Sequence, residues 1–129
     1  MQGNEFAERE AFQFILDKID SVPHLEALLL LWNTRPDRWS AEDLARRLYI
    51  RPHEGRNLLA DLNRDNIIVV TAESAEQFWY ESKSEEQDRV IGLVDAIYRR
   101  QVVRVSTLIH SKASSAVRDF ARAFRFTKD

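Results

Sequence analysis

Cysteine is absent from the 129-residue chain, so no disulfide framework and no thiolate metal site can hold it together. Glycine and proline number three each, which argues against a turn-rich β architecture and for helices. No apolar run nears the about 20 residues of a membrane span; the longest, Ala27 to Trp32, falls far short. Met1 to Glu10 is polar and acidic, unlike the apolar stretch of a secretion signal. There is no glycine-rich phosphate loop and no serine elbow. His24, His53 and His110 stand isolated, without metal-ligand spacing. Asp17 with Asp20, and Glu85 with Glu86, read as solvated charges near helix ends. These absences lead us to expect a cytoplasmic protein that is not an enzyme and uses no cofactor or metal.

What is present can close a core. Hydrophobic residues make up 44% of the chain, enough for one folded domain over 1–129. The formal net charge of −2 is unevenly spread: −4 over 1–34, +1 over 35–66, −5 over 67–88 and +6 over 89–129. A protein that meets phosphate usually gathers positive charge, and here the gathering is at the C-terminal end.

The apolar spacing predicts a mostly helical chain with one small β-hairpin. A first helix spans 4–20 with Phe12, Ile15, Leu16 and Ile19 on one face. After a restart at Ser21-Val22-Pro23, a second runs His24 to Asn33, with Leu25, Leu28, Leu29 and Trp32 on one face and Leu30 and Leu31 widening it. Thr34 to Asp37 stops it. Ser40 is an N-cap, with Asp43 three residues on, for a helix Ala41 to Leu48. Arg51-Pro52 opens the next, which buries Gly55, Leu58, Leu59 and Leu62 and ends near Asn66 in a left-handed conformation. Ile67 to Thr71 and Gln77 to Ser82 read as paired strands joined by Ala72 to Glu76. Ser84 caps a long helix, Glu85 to His110, with a stripe Ile91, Val94, Tyr98, Val102, Val105, Ile109 and a potential break near Gln101. A short helix starting at Ser114 or Ser115 closes the chain, with Val117, Phe120, Ala121 and Phe124 inward.

Asp43-Leu-Ala-Arg-Arg-Leu-Tyr-Ile50 followed by Arg51 to Ile68 resembles the winged helix-turn-helix superfamily in spacing. The matching positions are Leu44, Ala45, Leu48, Ile50, Leu58, Leu59, Leu62, Asn66, Ile67 and Ile68, and the match covers about 24–82. Ala45 suits close helix–helix approach. The hairpin stands where the wing would be, and Trp39 can supply the one-residue strand that pairs with it. The winged-helix core is thus expected at about 22–83, flanked by the helix at 4–20 and helices at 85–125. Two positions depart. Tyr49 occupies a turn position where the superfamily often has glycine. Gly55 lies inward in a helix, which costs about 1 kcal/mol relative to alanine; we expect it to make room for a bulky neighbour such as Tyr49.

The resemblance implies that Pro52–Asp65 is a recognition helix for double-stranded DNA. The wheel points His53, Asn57 and Arg64 outward as base-edge candidates, with Ala60 beside them. Arg46, Arg47, Arg51 and Arg56 are phosphate candidates. The function implied is a DNA-binding transcriptional regulator. The alternative is a protein-interaction module on the same scaffold, because Glu54, Asp61 and Asp65 share the helix and Glu73, Glu76, Glu81, Glu85 and Glu86 make the wing acidic. Its contact surface would be the Phe78–Tyr80 hairpin or the basic tail with Arg118, Arg122, Arg125 and Lys128. That tail can instead pack on its own domain; four basic residues without tryptophan are a weak signal for a membrane surface, so no membrane partner is expected. The helices outside the motif either cover the Leu-rich helix of a monomer or build a homodimer.

Overall fold

The computed structural model of the chain describes residues 2–71 and 76–112, and within them local sequence signals set the element ends. The elements are α1 (Gln2–Lys18), α2 (Val22–Thr34), α3 (Ala41–Leu48), α4 (Pro52–Arg64), β1 (Val69–Val70), β2 (Phe78–Trp79) and α5 (Glu85–Arg100). Residues 102–112 form a further helix, α6. The Ser40 hydroxyl accepts from the Asp43 N–H at 3.1 Å and so satisfies one of the free donors that open α3. α3 closes at Tyr49, whose backbone is left-handed at φ 59°, and the Ile50 N–H donates back to the Ala45 carbonyl at 2.9 Å. Pro52 starts α4, where its missing N–H is no loss. Asn66, at φ 61°, turns the chain out of α4 while the Ile67 N–H donates to the Leu62 carbonyl at 3.0 Å. Ser84 caps α5 through the Gln87 N–H at 3.0 Å.

The described residues fall into two compact units, one holding the chain up to Ser21 and from Leu93 on, the other running Val22–Gly92. In the Val22–Gly92 unit, α2 supplies buried Leu25, Ala27, Leu28, Leu29 and Leu31, α3 supplies Ala41, Leu44 and Ala45, and α4 supplies Gly55, Leu58, Leu59 and Leu62. Trp32 is only half-buried; its ring meets Tyr80 edge-on, 5.1 Å between centroids, and lies where a side chain at Gly92 would begin.

β1 and β2 pair antiparallel with Val69 opposite Trp79 and Val70 opposite Phe78. Trp39 adds a third, one-residue strand: it exchanges two backbone hydrogen bonds with Phe78, each 2.8 Å. The strands are shorter than the sequence predicts. Ile67 and Ile68 are buried at 2% and 0% exposure, so they plug the core before pairing begins. After Trp79, Tyr80 turns inward to donate its hydroxyl to Asp88. Residues 72–75 of the expected loop lie outside the described residues.

In the other unit, Ala11 and Ile15 of α1 are buried, as are Ile19 just after it, Val94 and Ile97 of α5, and Val105 and Ile109 of α6. Gln101 interrupts the helix at the expected break. Ile91, Val94, Val105 and Ile109 of the expected stripe are buried, but Ile97 takes the inward place expected of Tyr98, and Val102 is 48% exposed. Leu16 is likewise exposed. Lys112 donates to the Ile19 carbonyl at 2.9 Å, just past the end of α1. Arg104 lies over the Phe12 ring at 4.8 Å and 3.7 Å from Glu8. No helix among the described residues is long and apolar enough to cross a membrane.

Candidate nucleic-acid interface

α3 and α4 approach closely because two small residues face each other. A Cβ on Gly55 would stand 2.9 Å from the Ala41 carbonyl oxygen and 3.0 Å from the Ala45 Cβ. Gly55 therefore makes room for the α3 backbone and not for Tyr49, as the sequence suggested; Tyr49 is 92% exposed. The close approach fixes which side of α4 faces out.

That side carries the expected residues. His53, Asn57, Ala60 and Arg64 are all exposed, with Glu54 and Arg56 beside them. Arg46, Arg47 and Arg51 are exposed on α3 and the turn that precedes α4. The helices thus bring together all seven expected DNA-contact side chains in one helix-turn-helix. Three of the arginines already have acidic neighbours: Arg46 with Asp43 at 3.5 Å, Arg56 with Glu42 at 3.2 Å, and Arg64 with Asp61 at 3.2 Å. The Arg46 and Arg56 pairs are exposed and worth about 0–1 kcal/mol, so a phosphate can displace them, whereas Asp61 is more covered. Arg47 and Arg51 enter no ion pair among the described residues. Arg118, Arg122 and Arg125 lie outside the described residues.

Two features escaped the sequence. Asp61 is shared: its carboxylate meets His24 of α2 at 2.8 Å as well as Arg64, so one side chain ties α4 to α2 and orients a base-edge candidate. His24 and Asp61 are 37 residues apart, and no local spacing signals such a pair. The second is Arg38, whose guanidinium lies 4.1 Å over the Trp79 ring and so joins the strand region to the cationic surface.

The described residues of the hairpin give no comparable surface. Phe78 and Tyr80 are buried at 4% and 3% exposure, so they cannot serve as the contact surface that the sequence offered. Glu76, Glu81, Glu85 and Glu86 are exposed there, with Lys83 among them. Among the described residues no group of acidic and histidine side chains is arranged to hold a metal ion.

Three packed helices, the α3-turn-α4 pair at their centre, and a hairpin bridged by Trp39 define the winged helix-turn-helix fold. Solved structures agree. The chain is similar to MepR of Staphylococcus aureus, a transcription regulator of the multidrug efflux pump MepA, with 12% identity over 99% of this chain and 94% of that one at a TM-score of 0.54. The same protein in complex with DNA matches at 16% identity, 98% and 94% coverage and a TM-score of 0.52. A MarR family protein from Bacillus stearothermophilus matches at 14% identity, 97% and 84% coverage and a TM-score of 0.52. No protein-family model and no curated protein matches the sequence.

Proposed function

We propose that the chain is a DNA-binding transcriptional regulator in which α4 enters the major groove. His53, Asn57 and Arg64 meet base edges; Arg46, Arg47, Arg51 and Arg56 meet phosphates on either side. The observation that carries this reading is the exposed face of α4: the fold buries Gly55, Leu58, Leu59 and Leu62 and leaves the hydrogen-bonding residues outward, with Arg47 and Arg51, exposed and in no ion pair among the described residues, nearby in the chain. That a structural neighbour is solved with DNA on the same fold adds weight. A regulator of this kind acts in the cytoplasm, and a homodimer would place two copies of α4 on a two-fold symmetric site.

The test is binding of the purified chain to a labelled mixed-sequence duplex across a salt series. The affinity should fall linearly on a log–log plot, with a slope of about 0.9 per phosphate neutralised. Arg47→Ala and Arg51→Ala should each lower the slope by about one phosphate's worth. A second reading, a protein-interaction module, is favoured by the acid partners already seated on Arg46, Arg56 and Arg64. No duplex binding at low salt selects it.

A further inference from the structure

The turn between α3 and α4 holds a side chain that stability does not explain. Tyr49 is left-handed, at φ 59° and ψ 40°, where a Cβ crowds the following carbonyl and glycine is at ease. Its side chain is 92% exposed, so burial returns nothing for the strain. An aromatic held on those terms is explained by a contact outside the chain.

Tyr49 borders an open groove beside α3, lined also by Arg38, Trp39, Arg46 and Arg47 and by the acids Asp37 and Asp43. Three guanidiniums face two carboxylates, a net charge of +1. Arg46 and Asp43 partly neutralise each other at 3.5 Å. Arg38 rests on the Trp79 ring at 4.1 Å, which holds it without cancelling its charge. Arg47 has no acidic partner among the described residues. The groove therefore offers fixed cationic groups and a phenol hydroxyl, a set that suits a singly charged phosphodiester. It is continuous along the chain with Arg51 and His53 at the start of α4.

We propose that this groove receives a sugar–phosphate strand flanking the duplex held by α4, with the Tyr49 hydroxyl donating to a phosphate oxygen and Arg47 and Arg38 supplying charge. The inference rests on the DNA reading above and extends it to residues outside the recognition helix. It makes Tyr49 a binding residue retained against the preference of its own backbone.

The experiment uses the full chain, a labelled mixed-sequence duplex in a salt series, and thermal melting. Tyr49→Gly should melt at a higher temperature than the parent yet bind about tenfold more weakly, since a hydrogen bond to a charged group has gone. Tyr49→Phe should lose most of the same affinity with the melt unchanged. Arg47→Ala, at an exposed position, and Arg38→Ala should each reduce the salt slope by about 0.9. The opposite signs of stability and affinity in Tyr49→Gly separate a contact from a structural role. If Tyr49→Gly melts higher while the Tyr49 and Arg38 variants keep parental affinity and slope, and Asn57→Ala and Arg51→Ala still weaken binding, the groove is empty of DNA and the inference falls while the α4 reading stands. If those variants keep DNA binding but lose binding to polyglutamate, the groove takes an acidic polypeptide and the inference is overturned. If the parent binds no duplex, the DNA reading itself fails and takes the inference with it.

Discussion

Between Glu42 and Asp65, charged groups meet in solvent: Arg56 reaches Glu42 at 3.2 Å with both side chains more than half exposed, and Arg47 and Arg51 meet no acid among the described residues. Between Tyr80 and Asp88 the arrangement is reversed. The Tyr80 and Ser82 hydroxyls both donate to the Asp88 carboxylate, which their hydrogen bonds hold below its ordinary pKa. Burial, with help from Asp88, pushes the Tyr80 phenol above its ordinary value. The helix-turn-helix leaves its polar side chains in or near solvent, whereas the hairpin uses its own to fasten the strands to α5. The described hairpin residues turn their acids to solvent and Phe78 and Tyr80 inward.

The largest effect should come from closing the gap between α3 and α4. Gly55→Leu drives a side chain into the Ala41 carbonyl and Ala45, and should cost about 3 kcal/mol or more in thermal or urea unfolding. Even Gly55→Ala should destabilise, because the 2.9 Å contact is with backbone and outweighs the gain in helix propensity. Next, Asn57→Ala on the exposed face should leave unfolding unchanged and cost about 1–3 kcal/mol of binding to a preferred sequence, measured by anisotropy. Losing stability but not binding would reverse the division of labour between the two regions.

Asp88→Ala should cost about 1 kcal/mol by stranding the buried Tyr80 hydroxyl. Its pH dependence follows from the direction of the shift. A carboxylate with a lowered folded pKa stabilises above the unfolded value of about 3.9, and that contribution is lost as pH falls through the folded one. Parent and variant melting temperatures should therefore differ at neutral pH and converge in acid. A constant difference down to the lowest pH would show that Asp88 acts by packing alone. The smallest effect concerns the hairpin acids: Glu81→Gln, Glu85→Gln and Glu86→Gln should each raise duplex affinity by about twofold or less at low salt. A strong gain from any one of them would place the hairpin against DNA after all.

Much of the fold was legible because it rests on local chemistry. Ser40 and Ser84 announce their helices by their hydroxyls, Asn66 by its tolerance of a left-handed backbone, Pro52 by its missing N–H. Gln101 precedes Val102 and Val103, whose branching weakens a helix. What failed was what depends on partners distant in sequence. Gly55 could be read as a close approach, but its neighbour could not be identified, since Tyr49 is near in the chain and turned away in space. The strand lengths were overread because β-branched Ile67 and Ile68 look the same whether they pair or plug a core. For the candidate site, the outward face of α4 followed from its period, so the exposure of His53, Asn57 and Arg64 was legible. Glu42 beneath Arg56, Asp61 between His24 and Arg64, and Arg38 on Trp79 were not, because no periodicity links one element to another.

The claim at the centre is that the exposed face of α4 reads DNA sequence. It is tested most directly by selecting bound sites from a randomised duplex pool with the parent chain and with Asn57→Ala. The account predicts a defined site for the parent, and for the variant the same site with one position relaxed. A defined site that Asn57→Ala, His53→Ala and Arg64→Ala all leave unchanged would contradict it.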